Sequence, residues 1–313
     1  MKKTFAWMLL VAMCMSLFCG CASAQALTYA DTIAWDGEYD VVVAGFGGAG
    51  GTAAAAAADE GAKVLLVEKA PEGSEGGNTR VCGQMFVYGH EDEEATYNYY
   101  RALGQTKEVP ETLLRVYTDK IAHMYDYLSE MFGIDKSQFT SWPTESSVLG
   151  FMSPEYPEFP GSDKISLNSL NDAYADGFLW KNVSQRVTDR AENIDVWFES
   201  PAVALIQDPV TKVILGVKVE REGKALNIRA KNGVVLTTGG FENNPEMVEA
   251  FLGFPKASFY GGAYNTGDGV RMAMEVGAQL WHSCCSPFLV LSFDVSATGT
   301  AGCRIGSQAT LSP

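Results

Sequence analysis

The 313-residue chain has few histidines, few basic residues and little apolar continuity. Three His and seven Cys occur, with no C-x-x-C pair and no His at metal-ligand spacing from a Cys. That pattern offers no zinc site and no C-x-x-C-H haem attachment. Lys and Arg number 23 against 38 Asp and Glu, a net charge of −15. Nucleic-acid binding, which needs clustered basic side chains, is excluded on this balance, as is docking on an anionic membrane surface. The acidity reads as solubility. Its densest part, Glu91 to Glu94, is expected to be a solvated loop. The apolar stretch Phe5 to Phe18 has 14 residues, short of the roughly 20 a membrane-spanning helix needs. No internal repeat occurs, and no low-complexity tract beyond one run of alanines.

Residues 1–25 read as a targeting segment: Lys2 and Lys3 precede the apolar stretch, and small residues follow it. Two cleavage readings stand. Ala22-Ser23-Ala24 fits small-x-small processing, whereas Leu17-Phe18-Cys19-Gly20-Cys21 resembles a bacterial lipobox with Cys21 as the lipidated residue. The lipobox is preferred, because a Gly-Cys pair directly after such a stretch is otherwise uncommon. The expectation is therefore export to the cell envelope, as a membrane-anchored lipoprotein or else as a periplasmic or extracellular protein. Cys21 would be the chain's one link to the membrane. No twin-arginine pair is present, so any cofactor would be loaded outside the cytoplasm. Of the remaining cysteines, Cys82, Cys284, Cys285 and Cys303 suggest no disulfide scaffold, and the Cys284-Cys285 pair reads as two small buried hydrophobes.

The most informative stretch is Asp40 to Lys69, DVVVAGFGGAGGTAAAAAADEGAKVLLVEK. Val41 to Ala44 predict a buried parallel strand. Gly45, Gly47 and Gly50 then spell G-x-G-x-x-G, Thr52 to Glu60 predict an alanine-rich helix, and Lys63 to Val67 a second strand. Glu68 closes that strand 23 residues after Gly45. Each position has a physical role in dinucleotide binding. Gly45 permits the tight strand-to-helix turn, and Gly47 lets a pyrophosphate approach backbone. Gly50 lets the helix pack on the sheet. The helix start, at Gly48 and Ala49, presents N–H groups and the positive dipole end to phosphate. Glu68, followed by Lys69, is placed to accept hydrogen bonds from a ribose. A glycine-rich fingerprint alone is weak evidence; here strand, loop, helix, strand and acidic cap follow in order.

Further along, a glycine-rich loop covers residues 73–83. Residues 111–132 carry apolar side chains at alternating spacings of three and four, which predict one amphipathic helix ended by Gly133. His123 on it reads as a surface or half-buried residue rather than a ligand. Residues 139–170, rich in Pro, Ser, Gly and aromatics, predict a long irregular loop, and a helical stretch spans about 174–191. Short β-type runs follow at 195–198, 203–207, 213–220, 225–230 and 233–237, punctuated by Asp208-Pro209 and Glu222-Gly223. Another helix covers about 245–252.

Four more segments, taken with the fingerprint, resemble the FAD-binding domain of the flavoprotein superfamily that holds fumarate reductases, succinate dehydrogenase flavoproteins and 3-ketosteroid dehydrogenases. The first is Gly76-Gly77-Asn78-Thr79-Arg80-Val81-Cys82-Gly83-Gln84-Met85. A flavin must lie against backbone there; Asn78 and Thr79 can bond cofactor oxygens, and Gly83 and Gln84 would pass near the isoalloxazine. The second leads from Ser200-Pro201-Ala202-Val203 into a meander ending at Val217, and the resemblance implies that Val203 contacts the adenine. The third, Thr238-Gly239-Gly240-Phe241, is a strand-end turn near the cofactor's centre. The fourth is Asn265-Thr266-Gly267-Asp268-Gly269, in which Asp268 is the residue expected at the flavin. The resemblance covers about 39–282. A nicotinamide enzyme would share the fingerprint but has no reason to carry the 76–84 and 266–269 loops.

The resemblance implies an α/β fold: a Rossmann-like FAD-binding domain with a mainly parallel sheet and a β-meander. It implies FAD as cofactor. The expected organisation is a leader at 1–25, the FAD-binding domain at 39–282 and a truncated start of a capping or substrate domain at 283–313, with the capping domain largely absent. The family chemistry is hydride exchange between flavin and a C–C bond next to a carbonyl or carboxylate, with a small-molecule substrate and a separate electron donor or acceptor. The alternative is a truncated, inactive FAD-binding remnant. The family's substrate-clamping residues lie in or after the cap, and Trp281-His282-Ser283 lacks the Gln-x-His pair that opens that region in fumarate reductases. No catalytic residue is therefore assigned: His282 and Arg304 are residues of suitable type with nothing further in their support. No metal ligand is expected.

Overall fold

The structure is a computed structural model that describes residues 28–104, 109–142, 154, 156–171, 176–253, 258–259, 261–280 and 291–292. The expected leader with Cys21, together with His282, Cys284, Cys285, Cys303 and Arg304, lies outside the described residues. The chain divides into two units, residues 1–34 and 35–313. In the first, a 3₁₀ turn at Tyr29–Thr32 is capped by Thr28 and Asp31: the Thr28 N–H and hydroxyl both donate to Asp31 Oδ2 at 2.8 Å.

The second unit is built on a six-stranded sheet. Its strands are β1 (Gly37–Ala44), β2 (Val64–Val67), β6 (Ile194–Trp197), β7 (Ala202–Gln207), β8 (Ile214–Arg221) and β9 (Lys224–Leu236), in the order β6-β2-β1-β9-β8-β7. The pairs β6–β2, β2–β1 and β1–β9 are parallel, and β9–β8–β7 form an antiparallel meander. The architecture is thus α/β with a mainly parallel sheet.

Alternation along β1 and β2 explains why the sheet is covered on both sides. Val43 and Leu66 point to one face, where they meet Ala54 and Ala58 of helix α1 (Gly48–Asp59) and Trp180, Val183 and Val187 of helix α6 (Phe178–Thr188). Val42, Ala44, Leu65 and Val67 point to the other, against Val217, Val219, Ile228 and Met272. All four residues of β2 are at most 1% exposed. Each such side chain contributes on the order of 1.5–3 kcal/mol by leaving water, and a strand buried on both faces has to be continuously apolar. The alanines of α1 have a packing reason. A Cβ on Gly51 would sit 2.5 Å from Val183 Cγ1, so small residues let the two helices approach. Beyond them, Arg190 grips Asp59 with Nε and Nη2 at 2.7 Å each.

A smaller antiparallel sheet joins β3 (Met85–Tyr88), β5 (Ser166–Leu170) and β4 (Phe139–Trp142). Tyr88 and Tyr125 stack beside it at 3.8 Å between centroids, and burial pushes the Tyr125 phenol up to about 12. Desolvation lowers the His90 imidazole, with Lys164 adding to the effect.

Four expectations are corrected. The single helix over 111–132 is two, α4 (Glu111–Ala122) and α5 (Met124–Phe132), broken at His123 with φ −103° and ψ 23°. Periodicity could not show this because the apolar stripe runs through the break. The 139–170 stretch is not a loop throughout, since both its ends are strands that pair through β5. The acidic run is not a plain loop: Asp92 caps helix α3 (Glu93–Leu103) by accepting from Ala95 N–H at 2.9 Å, and Glu93 and Glu94 sit in its first turn, where negative charge suits the helix dipole. The last two β-type runs are one strand, β9.

Candidate cofactor groove

The C-terminal ends of the parallel strands open onto a groove of about 680 Å³, within the range of small-molecule sites. Its floor begins where β1 turns into α1. Gly45 holds φ +107°, a conformation that disfavours any residue with a Cβ. A Cβ on Gly50 would collide with the Gly45 carbonyl oxygen, so glycine there is a packing requirement between helix and turn. Thr237, directly after β9, fixes the turn from the other side: its hydroxyl donates at 2.9 Å to Ala44 O or Gly45 O. The first turn of α1 faces the groove through Gly48 and Ala49, which turns the positive dipole end toward a phosphate-sized anion, although the Gly48 N–H itself is taken by Thr79.

Glu68, at the end of β2, is 9% exposed. Its Oε2 accepts from Phe46 N–H at 2.6 Å and its Oε1 from Ala70 N–H at 2.7 Å. The carboxylate therefore braces the fingerprint turn from a position that lines the groove. Lys69 beside it donates to Thr266 Oγ1 and Asp268 Oδ2, both at 2.6 Å. This pair ties the end of β2 to the first turn of helix α8 (Asp268–Glu275). Pro201 and Ala202 close the groove at that end.

Past the phosphate turn, the wall combines five glycines with Asn78, Thr79, Thr238, Tyr264 and Asn265. Helix α2 (Gly77–Val81) starts at Gly76, whose N–H donates to Phe46 O at 2.8 Å, and Thr79 Oγ1 accepts from Gly48 N–H at 3.1 Å. Gly239, Gly261 and Gly262 also line the groove, with Gly262 packed against the Gly77–Asn78 backbone.

Of the expected site residues, Gly45, Gly47, Gly48, Ala49, Glu68, Lys69, Asn78, Thr79, Thr238, Gly239 and Asp268 all line this groove. Gly50 sits behind the turn. Gly83, Gln84 and Val203 are not among the lining residues. Gln84 acts from behind the loop: its Nε2 donates to Thr79 O at 2.6 Å, and its Oε1 accepts from Trp180 N–H at 3.1 Å. Val203 O accepts from Arg271 at 3.2 Å, and the lining position is its neighbour Ala202. Thr237 lines the groove without having been expected there, Asn265 lines it as the first residue of the expected 265–269 segment, and Glu242 was not expected to act on it. The signal for Thr237 was a hydroxyl at the end of a buried strand next to glycine; Glu242 acts through contacts no local motif announces. Elsewhere, Glu93, Asp119 and His123 bring three ligand-type atoms within 4.8 Å. His123 turns Nδ1 to Asp119 and Nε2 to Glu93, so the imidazole bridges the two carboxylates instead of converging with them on one point.

Residues 40–304 match the family model described as FAD binding domain. The chain belongs to that family. Its cofactor is FAD, and the groove fits it: a dipole-backed turn for the pyrophosphate, an acceptor pair at Glu68 for a ribose, and a glycine-walled section where a planar ring could lie against backbone. The chain is 29% identical over 256 residues to the NADH:fumarate oxidoreductase of Klebsiella pneumoniae, covering 77% of this chain and 25% of the relative. It is 31% identical over 186 residues to the 3-oxosteroid 1-dehydrogenase of Comamonas testosteroni, covering 55% and 30%. In fold it is similar to the 3-ketosteroid delta1-dehydrogenase of Sterolibacterium denitrificans, with a TM-score of 0.70 at 22% identity, covering 82% of this chain and 58% of that one. The chain thus spans about a quarter to a third of the length of these two curated relatives.

Proposed function

We propose that this FAD-binding chain serves an oxidoreductase acting on a C–C bond next to a carbonyl or carboxylate of a small molecule. Bound FAD would supply the chemistry by exchanging a hydride with that bond. The observation that carries the reading is the groove's continuation beyond the phosphate turn into a section walled by Gly76, Gly77, Gly239, Gly261 and Gly262. A site for nucleotide alone has no use for a second, glycine-rich section. The chain's own groups would bind and orient. The first turn of α1 holds the diphosphate, Glu68 accepts from a ribose, and Thr79 and Asn78 fix the loop that flanks the ring. The relatives act on fumarate and on 3-oxosteroids by name, and both substrates carry an activated C–C bond. Under this reading the protein is exported through its first 25 residues, and electrons pass to or from a separate partner or the substrate itself.

The test begins with the purified chain incubated with FAD, desalted and scanned for visible flavin absorbance. Fumarate with a reduced dye, and a 3-oxosteroid with an oxidised dye, are then offered in parallel. Retained flavin and turnover of either substrate support the reading. A colourless product refutes it at the level of the cofactor, whereas retained flavin inert to both substrates confines the chain to FAD binding.

A further inference from the structure

Glu242 lies just past the turn that ends β9, outside the fingerprint. Its Oε1 accepts from Asn78 Nδ2 at 2.6 Å and from Asn265 Nδ2 at 2.7 Å. Asn78 Oδ1 accepts in turn from Gly262 N–H at 2.7 Å, and Asn243 Nδ2 donates to Gly262 O at 2.7 Å. One carboxylate therefore latches three segments that wall the glycine-lined section: the loop at 76–81, the turn at 238–244 and the loop at 261–265. An ionised carboxylate offers acceptors alone, so both amides must turn their NH₂ groups to it. Asn265 is 6% exposed, and its Oδ1 is thereby aimed at the wall beside Gly239, where an added Cβ would lie 2.5 Å from it.

The latch also carries a charge that no cation of the groove neutralises among the described residues. The two cations lining the groove are engaged elsewhere: Lys69 with Asp268, and Arg80 with Glu75 and the carbonyls of Gly73 and Glu75. The groove's order of sections gives the charge a location. Glu68 and Ala202 suit the adenosine end and α1 suits the diphosphate, so the section latched by Glu242 is left for the redox ring.

We propose that Glu242 is a positioning residue that closes this section and biases bound flavin toward its oxidised form. The inference rests on the FAD reading above. Taking up two electrons and one proton adds one negative charge to the flavin ring system, and a fixed carboxylate behind the Asn78 and Asn265 side chains that line the section opposes that gain. Gln at this position keeps the shape and an acceptor oxygen and removes the charge.

The experiment compares the full chain with Glu242→Gln and Glu242→Asp. Oxidised FAD is titrated into each, with binding read from flavin fluorescence. Each loaded protein is then reduced with dithionite, which is itself oxidised, against a reference dye. The ratio of reduced-FAD to oxidised-FAD affinity is expected to rise about three- to tenfold in Glu242→Gln, the effect of a single charge across a partly buried site. Glu242→Asp should return it toward the original value. Loss of oxidised FAD from Glu242→Gln overturns the proposal, since the carboxamide keeps the shape and an acceptor oxygen and removes only the opposing charge. An unshifted ratio in Glu242→Gln overturns it. If the parent chain itself takes up no FAD, the cofactor reading fails and this inference falls with it; a parent that binds while Glu242→Gln behaves identically sinks the inference alone.

Discussion

Replacing Glu68 by Gln separates its bracing of the fold from its contact with a ligand. In the parent, two backbone N–H groups donate to one ionised carboxylate at 2.6 and 2.7 Å, on a residue that is 9% exposed. Hydrogen bonds to a charged acceptor are worth about 1.5–3 kcal/mol each. The glutamine side chain keeps one acceptor oxygen and so retains one neutral bond of about 1 kcal/mol. Its NH₂ then faces the other N–H, donor against donor, and leaves that group unsatisfied at a cost of about 1–3 kcal/mol. The net loss for the cofactor-free protein is about 3–8 kcal/mol, a large share of the roughly 5–15 kcal/mol typical of a folded domain. Urea unfolding of the cofactor-free chain measures it through the midpoint at unchanged slope. FAD affinity should fall in addition, by about tenfold, because one ribose acceptor becomes a donor. A Glu68→Gln protein within about 0.5 kcal/mol of the parent would refute the bracing argument, and unaltered FAD affinity would refute the ribose assignment.

Gly50→Ala places a Cβ against the Gly45 carbonyl; we expect loss of soluble protein or of flavin uptake, and a stable variant with parental FAD affinity would reject the fingerprint geometry. Lys69→Met, Asp268→Asn and their double variant form a cycle. The pair is about 30% exposed on both sides, so a coupling of about 0.5–1 kcal/mol in FAD binding, shrinking in salt, is expected, and additive effects would dismiss the tie between β2 and α8. The hydrogen bonds from Arg190 hold the Asp59 carboxyl below its ordinary 3.8. A lowered folded value means that this contribution is complete above 3.8 and is lost as pH falls through the folded value. Asp59→Asn should therefore flatten the fall in urea midpoint as the pH drops below 3.8, and an unchanged acid slope counts against the contact.

What was legible in the sequence was what is local. Val41 to Glu68 showed a strand, a turn, a helix and a second strand because each residue's role depends on neighbours within a few positions. The β-meander showed for the same reason, its turns marked by Asp208-Pro209 and Glu222-Gly223. The break at His123 stayed hidden, since the apolar stripe passes through it and only backbone torsion records it. Strands β3 to β5 were masked by composition: the segment before β5 is rich in Pro, Ser and Gly, and its pairing partner β3 lies some 80 residues upstream. The same limit holds in the groove. Glycines and Glu68 announced themselves by motif, whereas Glu242 acquires its role through partners 164 and 23 positions away. Asn78 and Gln84, six residues apart, look alike in sequence as polar residues in a glycine-rich loop. One lines the groove; the other spends its whole amide holding the loop from behind.

The Thr237 hydroxyl bridges 193 positions to reach Ala44, and that span has a consequence in time. During synthesis the fingerprint turn emerges early, yet the strand that supports it from the side does not exist until residue 237 has left the ribosome. The first βαβ unit can collapse on local contacts, but its phosphate-binding turn lacks one wall until the chain closes that long loop. Cofactor capture is therefore a late event in assembly rather than a nucleus for it. FAD added to a folding reaction should slow unfolding more than it speeds refolding.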